Sequence, residues 1–326
     1  MTALLEVGGV LTAREGDPSR AARTLARWSW LALPAWRLHG DGSLRPDPAA
    51  SACSALASAA ARAGVPVWAT LAPRSPAALA AWVRHPDARQ RALEGAGLAC
   101  LRLPSGEAPA GLLLDLAPGF PWEESSPAWD GGLRDELSAW VEEAAWLVRR
   151  RGALLAAAVE PQVREPGPGD TGFPSDYRVL GAYVDRLVVR GFGFRGTSPP
   201  PHPPAPVGWL RSVLEHALAF VPQRALVLAL PAFGWRWCPG LPRPQRWPAC
   251  ASPEGERRRD PATASVRVHR ESPGGREEAW LDDEETLAAK AALAAELGAG
   301  GIALWGAGWE PPGVWEALGF PKGRQE

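Results

Sequence analysis

The stretch GLLLDLAPGF, residues 111–120, decides the fold that this 326-residue chain is expected to adopt. Its apolar positions run continuously instead of alternating with polar ones, which predicts a strand covered on both faces, as in a parallel sheet. Asp115 stands at the end of that strand, and Ala117 follows two residues later. A carboxylate at a buried strand end needs a partner, so Asp115 is a candidate for a functional site or for a structural ion pair.

Further apolar runs repeat this pattern along the chain. Together with the first they predict strands at 4–10, 30–36, 65–71, 111–117, 153–159, 184–192, 225–233 and 300–305. Segments with helical spacing separate them, at 18–28, 49–62, 76–82 with 87–93, 133–151, 177–182, 209–220 and 284–297, and a short last helix is expected at 314–318. Repeated βα units close most economically into an eightfold barrel, so we predict a single α/β domain, a (β/α)8 TIM barrel spanning residues 1–326.

Two segments fit this barrel less directly. Residues 97–103 are typical either of an extra strand or of the end of a helix. Residues 238–280 are rich in Pro and Arg and contain two short β-like runs, ASVRVHR and EEAWL. We therefore predict a small excursion between strand seven and helix seven.

Composition excludes several classes of function. The formal net charge is −1, so no field of one sign favours nucleic acid or an acidic membrane surface as a partner. The start has no signal-like pattern and no run of about 18 apolar residues follows, so we expect a soluble chain, cytoplasmic by default, with spore association left open.

The cysteines lack a CxxC spacing and the histidines form no ligand pattern, so we expect no metal and no cofactor. Cys238 and Cys250 flank a loop and could pair only under oxidising conditions.

In a barrel of this kind the chemistry lies at the C-terminal ends of the strands. The predicted strand ends carry Trp36, Asp115, Glu160, Arg190, Phe192, Phe194, Phe233, Trp235 and Trp305. The predicted mouth is therefore aromatic and has few titratable groups. Aromatic faces suit the apolar faces of sugar rings, but they serve equally well as packing surface.

Four segments carry a resemblance to a known family. They are GLLLDLAP (111–118), YRVLGAYVDRLVVRGFGF (177–194), PVGWLRSVLEHALAFVPQRALVLALPAFGWRW (206–237) and EEAWLDDEETLAAKAALAAELGAGGIALWGAGWEPPGVW (277–315). Together they resemble family 18 glycoside hydrolases, especially the spore-germination and peptidoglycan-cortex branch. The resemblance extends over nearly the whole chain and depends on the order and spacing of the segments, because no single motif is intact.

The resemblance implies a run of four acidic positions at the end of the fourth strand, the last two of which read D-x-E. In the family its final Glu is the general acid, and the Asp two residues earlier orients the N-acetyl group that attacks the anomeric carbon. On this chain the motif falls on Ala110, Leu113, Asp115 and Ala117. The position of the general acid is thus an alanine, and Asp115 is either a relic or an acetamide-orienting contact.

The resemblance also implies groups on strands six and eight. The family's M-x-Y-D pattern falls on Arg190, Gly191, Phe192 and Gly193, so the Tyr hydroxyl and the Asp that would hold the acetamide are missing. Trp305 matches the Trp that forms the floor under the distorted sugar. We expect the substrate-binding surface to include Trp305, Trp36, Phe192, Trp235 and Arg190.

Three functional hypotheses follow. The first is a catalytically impaired barrel that acts as a glycan-binding or scaffold protein, and we favour it because Ala117 replaces the general acid. The second is an active glycosidase in which Glu160, or Glu123 or Glu124 on the following loop, replaces the lost acid. The third is an interaction protein whose mouth is filled by its own side chains, Phe192, Phe194 and Arg190.

The depth of the mouth separates these hypotheses. An open groove floored by Trp305 would support the first two, and a filled barrel would support the third. For the first two the expected partner is a glycan containing N-acetylglucosamine, with no nucleic acid and no membrane.

Overall fold

The predicted parallel strands close into a barrel. The computed structural model describes residues 6–117, 130–167, 175–195, 200–241, 243–251 and 254–320. The strands of the main sheet are β1 (Glu6–Val10), β2 (Trp30–Leu38), β3 (Leu44–Pro46), β4 (Val67–Pro73), β5 (Gly111–Asp115), β6 (Leu154–Val159), β7 (Arg186–Arg190), β8 (Leu226–Pro231) and β14 (Gly301–Trp305). All pair in parallel except β3, which adds antiparallel to β2, and the pairing of β1 with both β14 and β2 closes the barrel. The prediction of a (β/α)8 barrel with eight parallel strands is confirmed.

Helices follow the barrel strands and cover them. They are α1 (Pro18–Arg23), α2 (Ser54–Arg62), α3 (Pro76–Arg84), α4 (Pro86–Ala99), α5 (Gly131–Arg150), α6 (Tyr177–Tyr183), α7 (Val207–Leu218), α8 (Glu284–Leu297) and α9 (Val314–Ala317). Several begin where a Ser or Asp side chain accepts a hydrogen bond from the first turn, as Asp17 does for α1 and Ser75 does for α3. Residues 97–103 contain the end of α4, not a strand. No helix within the described ranges combines the length and hydropathy that a membrane crossing requires.

A second, antiparallel sheet lies between β8 and α8, and we call it the excursion sheet. Its strands are β9 (Phe233–Trp237), β10 (Gln245–Pro248), β11 (Glu256–Arg259), β12 (Val266–Ser272) and β13 (Gly275–Leu281), in the order β10-β9-β13-β12-β11. It starts before the predicted residue 238, because the chain switches sheets at Ala232. That residue donates its N–H to the Trp305 carbonyl in the barrel and accepts from the Ala249 N–H beside the excursion sheet.

A fully buried ion pair connects the excursion sheet to the barrel helices. Lys290 on α8 pairs with Asp282, which follows β13, and both side chains are 0% exposed. The Ser265 hydroxyl donates to the other carboxylate oxygen of Asp282 at 2.7 Å. Because removing one partner of such a pair leaves a buried charge, this contact fixes the sheet against α8.

The register of the excursion sheet separates two cysteines. Gln245 lies opposite Arg236, so Cys238 lies at one end of the β9–β10 hairpin, while Cys250 follows Ala249 at the other. Extension of the same register places Cys250 level with Pro231, seven strand residues from Cys238, which correspond to about 23 Å. A disulfide requires Cα atoms within about 7 Å. Cys238 and Cys250 therefore stay free in this fold, and the pairing left open by the sequence would require the hairpin to unfold.

Strand alternation divides the apolar side chains between two cores. Leu112 and Leu114 of β5 face the helices in the larger outer core, while Leu113 faces the barrel interior. The interior core comprises Val10, Trp30, Ala32, Trp68, Leu113, Ala156, Ala158, Val188, Phe192, Val227, Ala229, Phe233, Ala303 and Trp305. Large rings therefore fill the barrel at both ends.

Glycine on a neighbouring strand makes room for a tryptophan at the bottom of the barrel. A Cβ atom at Gly8 would lie 2.1 Å from two atoms of the Trp30 ring. That distance is far inside van der Waals contact, and the buried ring cannot rotate away without displacing its neighbours. We expect Gly8→Ala to lower the free energy of unfolding by at least about 2 kcal/mol, as overpacking of a dense core does, measured by urea denaturation.

Gly208→Ala is the matched control. Gly208 lies in the first turn of α7 with no atom within 4 Å of the added methyl group. We expect its stability to stay unchanged or to rise by up to about 1 kcal/mol, since alanine is the better helix former. Equal losses in the two variants would contradict the packing argument.

Candidate functional site

Four side chains converge at the C-terminal end of the barrel, and we call them the mouth cluster: Asp115, Arg190, Phe192 and Trp305. Asp115 ends β5, Arg190 ends β7 and Trp305 ends β14. Phe192 lies two residues after the end of β7. Each continues a line of inward-facing residues. Leu113 precedes Asp115 on the interior face of β5, as Val188 precedes Arg190 on β7 and Ala303 precedes Trp305 on β14.

Arg190 is the centre of the mouth cluster. Arg190 is 2% exposed, and its guanidinium donates to a carboxylate oxygen of Asp115 and to the carbonyl of Ala117. The same group lies over the ring of Trp305, with its carbon 4.4 Å from the ring centroid. Asp115 also accepts the Ala117 N–H at 3.2 Å. Asp115 is therefore a paired carboxylate, and one face of Trp305 is covered by a cation.

Phe192 covers more of the tryptophan. Its ring centroid lies 5.6 Å from that of Trp305 and 5.5 Å from that of Phe233, the latter in an edge-on arrangement. Phe192 is 1% exposed and Trp305 is 4% exposed. Within the part of the chain that the structure describes, Trp305 is therefore enclosed by its neighbours, and no open groove for a sugar lies over its ring.

Phe194 takes no part in the mouth cluster. It is exposed and packs on Trp209 of α7, with ring centroids 5.5 Å apart, and on His202. Of the three side chains expected to fill the mouth, Arg190 and Phe192 contact Trp305 and Phe194 contacts other residues.

Two of the aromatic residues predicted for the site lie elsewhere. A bulge between Pro34 and Trp36 shifts the register of β2, so Trp36 packs against the outer core and donates its indole N–H to the Arg102 carbonyl at 3.2 Å. Trp235 belongs to β9 of the excursion sheet, not to a barrel strand, and is 1% exposed. It contacts Phe233, with ring centroids 6.1 Å apart.

Glu160 follows β6, beside the strand that carries Asp115, but it has its own environment. Its carboxyl group accepts from the Ser175 hydroxyl at 2.9 Å and from the Gln162 amide at 3.1 Å. Tyr177 donates to its backbone carbonyl. Burial raises the pKa of Glu160 to about 7, although the hydrogen bonds from Ser175 and Gln162 oppose the shift. Glu123 and Glu124, the other candidate acids, lie outside the described residues.

Sequence reasoning missed an ion pair between the loop after β1 and the excursion sheet. Arg246 of β10 reaches Glu15 at 2.5 Å, and Thr12 donates to the same carboxylate. Neither residue has a sequence signal, because the pair forms only when the excursion sheet folds back over the barrel.

Trp309, which packs on the interior core, could have been found from its position after β14. In the described ranges no group of three His, Cys, Asp or Glu could hold a metal ion.

Comparison with known proteins gives relatives by sequence and by structure. No protein-family model matches the chain. The chain is 27% identical over 196 residues to the cortical fragment-lytic enzyme of Bacillus subtilis, a match that covers 57% of this chain and 46% of that protein. The family 18 resemblance is confirmed, in its spore-cortex branch. The family 18-like chain thus spans about half the length of the curated relative that it matches.

Solved structures support the fold of this family 18-like barrel. A chitinase from Chromobacterium violaceum superposes with a TM-score of 0.80 at 19% identity, covering 97% of this chain and 98% of that one. A family 18 chitinase from Cycas revoluta, solved in complex with a tetramer of N-acetylglucosamine, gives a TM-score of 0.73 at 16% identity, covering 96% and 98%. At these identities the likeness establishes the fold alone.

The contact between Asp115 and Arg190 generates a stability prediction. Removing the carboxylate leaves a buried guanidinium without its counter-charge, which typically costs 3–5 kcal/mol. We expect Asp115→Ala to lower the free energy of unfolding by about that amount, measured by urea denaturation. The double variant Asp115→Ala/Arg190→Met should recover most of the loss, because it removes both charges. A loss below about 1 kcal/mol in Asp115→Ala would exclude a structural role and favour a retained sugar contact.

The buried Glu160 generates a prediction of pH dependence. Its pKa is about 7 in the folded chain, against an ordinary value of 4.5. Folding therefore favours the protonated form of Glu160. Its contribution to the free energy of unfolding is fully present below about pH 4.5 and is lost as the pH rises through 7. The loss should reach about 3 kcal/mol.

Glu160→Gln isolates that contribution, because glutamine keeps the shape but carries no charge at any pH. We expect the difference in unfolding free energy between wild type and Glu160→Gln to change by about 2.5 kcal/mol between pH 5 and pH 8. A difference that stays constant over this range would show that Glu160 does not titrate there.

Proposed function

We propose that this family 18-like barrel is catalytically impaired and acts as a scaffold or glycan-binding protein. The partner would be a polymer that contains N-acetylglucosamine, such as cortex peptidoglycan or chitin. The names of the relatives support this setting, since they include a cortical fragment-lytic enzyme and chitinases. The name of that sequence relative also leads us to propose a spore-associated role.

The arrangement of Arg190 on Trp305 carries the proposal. The guanidinium and Phe192 occupy the ring on which a sugar would have to stack. Ala117, whose carbonyl accepts from Arg190, has a methyl group where the resemblance requires a carboxylic acid. A methyl group cannot give a proton to a leaving oxygen, and a positioned general acid is typically worth 10²–10⁴ in rate.

The contacts that cover Trp305 favour the scaffold role over glycan binding at this ring. Moving Arg190 off the ring also separates it from Asp115, and breaking a buried pair of this kind costs about 3–5 kcal/mol. Stacking geometry returns only about 0.5–1.5 kcal/mol beyond the area buried. A sugar could stack on Trp305 only after Arg190 and Phe192 had moved off the ring. The filled mouth therefore supports the scaffold role, in the form of an interaction protein that binds no sugar at this ring.

A working glycosidase that uses Glu160 is the second candidate. The pKa of Glu160, raised to about 7 by burial, is in the range that a general acid needs near neutral pH. Against this candidate, Glu160 is 5% exposed and its carboxyl group is already engaged by Ser175 and Gln162. A leaving glycosidic oxygen could reach it only if these contacts opened.

We expect no hydrolysis by the wild-type chain. The chain is incubated with muramic-lactam peptidoglycan and with chitin oligomers, and mass spectrometry of the supernatant detects released fragments. Wild type and Glu160→Gln should both give the background of a buffer sample, while the cortical fragment-lytic enzyme of Bacillus subtilis serves as the positive control on peptidoglycan. Turnover by wild type that disappears in Glu160→Gln would overturn the proposal in favour of the relocated acid.

Titration calorimetry with an N-acetylglucosamine oligomer separates the two non-catalytic roles. Absence of heat at millimolar oligomer supports the scaffold. Binding that weakens in Trp305→Ala, in a variant that keeps the wild-type circular dichroism spectrum, supports glycan recognition at the mouth.

A further inference from the structure

Two segments of the chain meet at the end of the barrel opposite the mouth cluster. Residues 97–103 contain the end of α4, and residues 146–154 contain the end of α5 and the start of β6. Arg151 donates to the Gly97 carbonyl, and a Cβ atom at Gly97 would lie 3.0 Å from atoms of both Arg151 and Leu147. The two segments therefore form one surface, which we call the basal patch.

The basal patch exposes large apolar side chains. Among the described residues seven large apolar side chains are exposed, and four of them lie here: Leu98 at 53%, Leu101 at 47%, Leu154 at 43% and Trp146 at 60%. Single exposed apolar residues are normal on a protein surface, but several of them in one place mark an interaction surface. The basal patch is therefore a candidate for contact with a partner.

The basal patch is also basic. Its two segments contain Arg102, Arg149, Arg150 and Arg151 and no Asp or Glu, and all four arginines are exposed. Arg149 donates to the Tyr183 carbonyl at 2.7 Å, and Arg150 lies over the Trp146 ring with its guanidinium carbon 4.6 Å from the ring centroid. Within the described ranges none of the four pairs with a carboxylate, so the patch keeps its positive charge.

The acids that border the patch lie behind its outer surface. Glu94 and Glu142 precede Leu98 and Trp146 by four residues, which places each of them about 6 Å further from this end of the barrel. Glu142 accepts from the Tyr183 hydroxyl at 2.7 Å. A flat partner that meets this end of the barrel therefore reaches the arginines before it reaches these acids.

The helix dipole accounts for only part of this arrangement. Basic side chains are favoured in the last turn of a helix, which explains Arg149 and Arg150 at the end of α5. The dipole gives no reason for Leu98, Leu101 and Leu154 to be exposed beside them. The net charge of −1 conceals the patch, because it averages these arginines with acids elsewhere in the chain.

The mixture of side chains favours a lipid surface over a protein as the partner. The apolar side chains are interspersed with arginines, so a protein would need a separate pocket for each of them. The interface of an anionic bilayer accepts separate Leu and Trp side chains among its headgroups, while its phosphates attract arginines.

We propose that the basal patch binds the surface of an anionic lipid bilayer. Leu98, Leu101 and Leu154 enter the boundary between headgroups and acyl chains, and the arginines contact lipid phosphates. Trp146 lies at the headgroup level with Arg150 over its ring. Bound in this way, the chain directs the mouth cluster away from the membrane. This inference is independent of the proposed function.

Sedimentation of the full chain with lipid vesicles tests the proposal. One set of vesicles contains equal parts of phosphatidylglycerol and phosphatidylcholine, and the other contains phosphatidylcholine alone. Because each basic residue near an anionic surface strengthens binding by about fivefold, we expect binding to the anionic vesicles to be at least about tenfold stronger. Binding should fall in about 0.5 M NaCl, since the screening length is then only a few ångströms.

Two pairs of variants separate the apolar and the basic contributions. Leu98→Gln/Leu101→Gln should weaken binding to anionic vesicles at least about fivefold, because two inserted side chains are lost. The matched control is Leu241→Gln, at an exposed leucine of the excursion sheet, and it should bind as wild type does. Circular dichroism checks that each variant is folded.

The arginine pair has a control of equal net charge. Arg102→Gln/Arg150→Gln should weaken binding to anionic vesicles at least about tenfold. Arg195→Gln/Arg258→Gln removes two exposed arginines outside the basal patch and should leave binding unchanged.

Four outcomes would overturn the proposal. They are no binding to anionic vesicles at about 1 mM lipid, equal binding to the two kinds of vesicle, equal effects of patch and control variants, and a preference of the patch for another partner. The last would appear as a dimer in analytical ultracentrifugation that Leu98→Gln/Leu101→Gln abolishes, or as binding of poly-glutamate that the same variant weakens. A dimer would assign the patch to a second copy of the chain, and poly-glutamate binding would assign it to an acidic protein.

Discussion

The interior of the barrel must be filled, and this requirement governs the rest of the structure. Eight tilted strands leave an interior just wide enough for side chains to fill. At the bottom, Gly8 and Gly111 leave the space that Trp30 and Trp68 occupy. At the top, Phe192, Phe233 and Trp305 perform the same role above the small residues of β6 and β8. The side chains that complete the core are therefore the ones that close the mouth.

The position of Arg190 follows from the charge that remains at the mouth. With alanine and leucine at the other positions of the fourth-strand motif, Asp115 is the one carboxylate that β5 delivers there. A carboxylate at the edge of an apolar interior needs a cation or several donors. Arg190 comes from β7, is inward-facing like Asp115, and supplies the charge, while Trp305 covers its flat face. Asp115 and Arg190 thus form one electrostatic arrangement at the mouth, with the cation of one strand balancing the carboxylate of the other.

The barrel strands could be predicted from sequence because each is a continuous apolar run whose burial is a local property. The departures come from features that no local pattern encodes. The run 225–233 contains no visible break at Ala232, where the chain leaves the barrel for the excursion sheet. Trp36 continues the alternation of β2 in sequence, and only the bulge after Pro34 turns it to the outer core.

The contacts of the site were less predictable than its location. Strand ends place Asp115, Arg190 and Trp305 at one end of the barrel by topology alone, and they do meet there. Which of them pair depends on side-chain packing between strands far apart in sequence. Glu160 illustrates the limit, since its partner Ser175 lies beyond a long connection and carries no motif that points back to the strand.

Asp115 and Glu160 show how environment assigns different chemistry to two acids on neighbouring strands. A general acid needs a raised pKa and access to the leaving group. Glu160 has the first, with a pKa of about 7 caused by burial, but its carboxyl group is enclosed by Ser175 and Gln162. Asp115 lies at the mouth, but it is bound to Arg190. Glu160 is thus enclosed and Asp115 is paired with Arg190, and these separate environments are the physical basis of the proposal that this barrel is catalytically impaired.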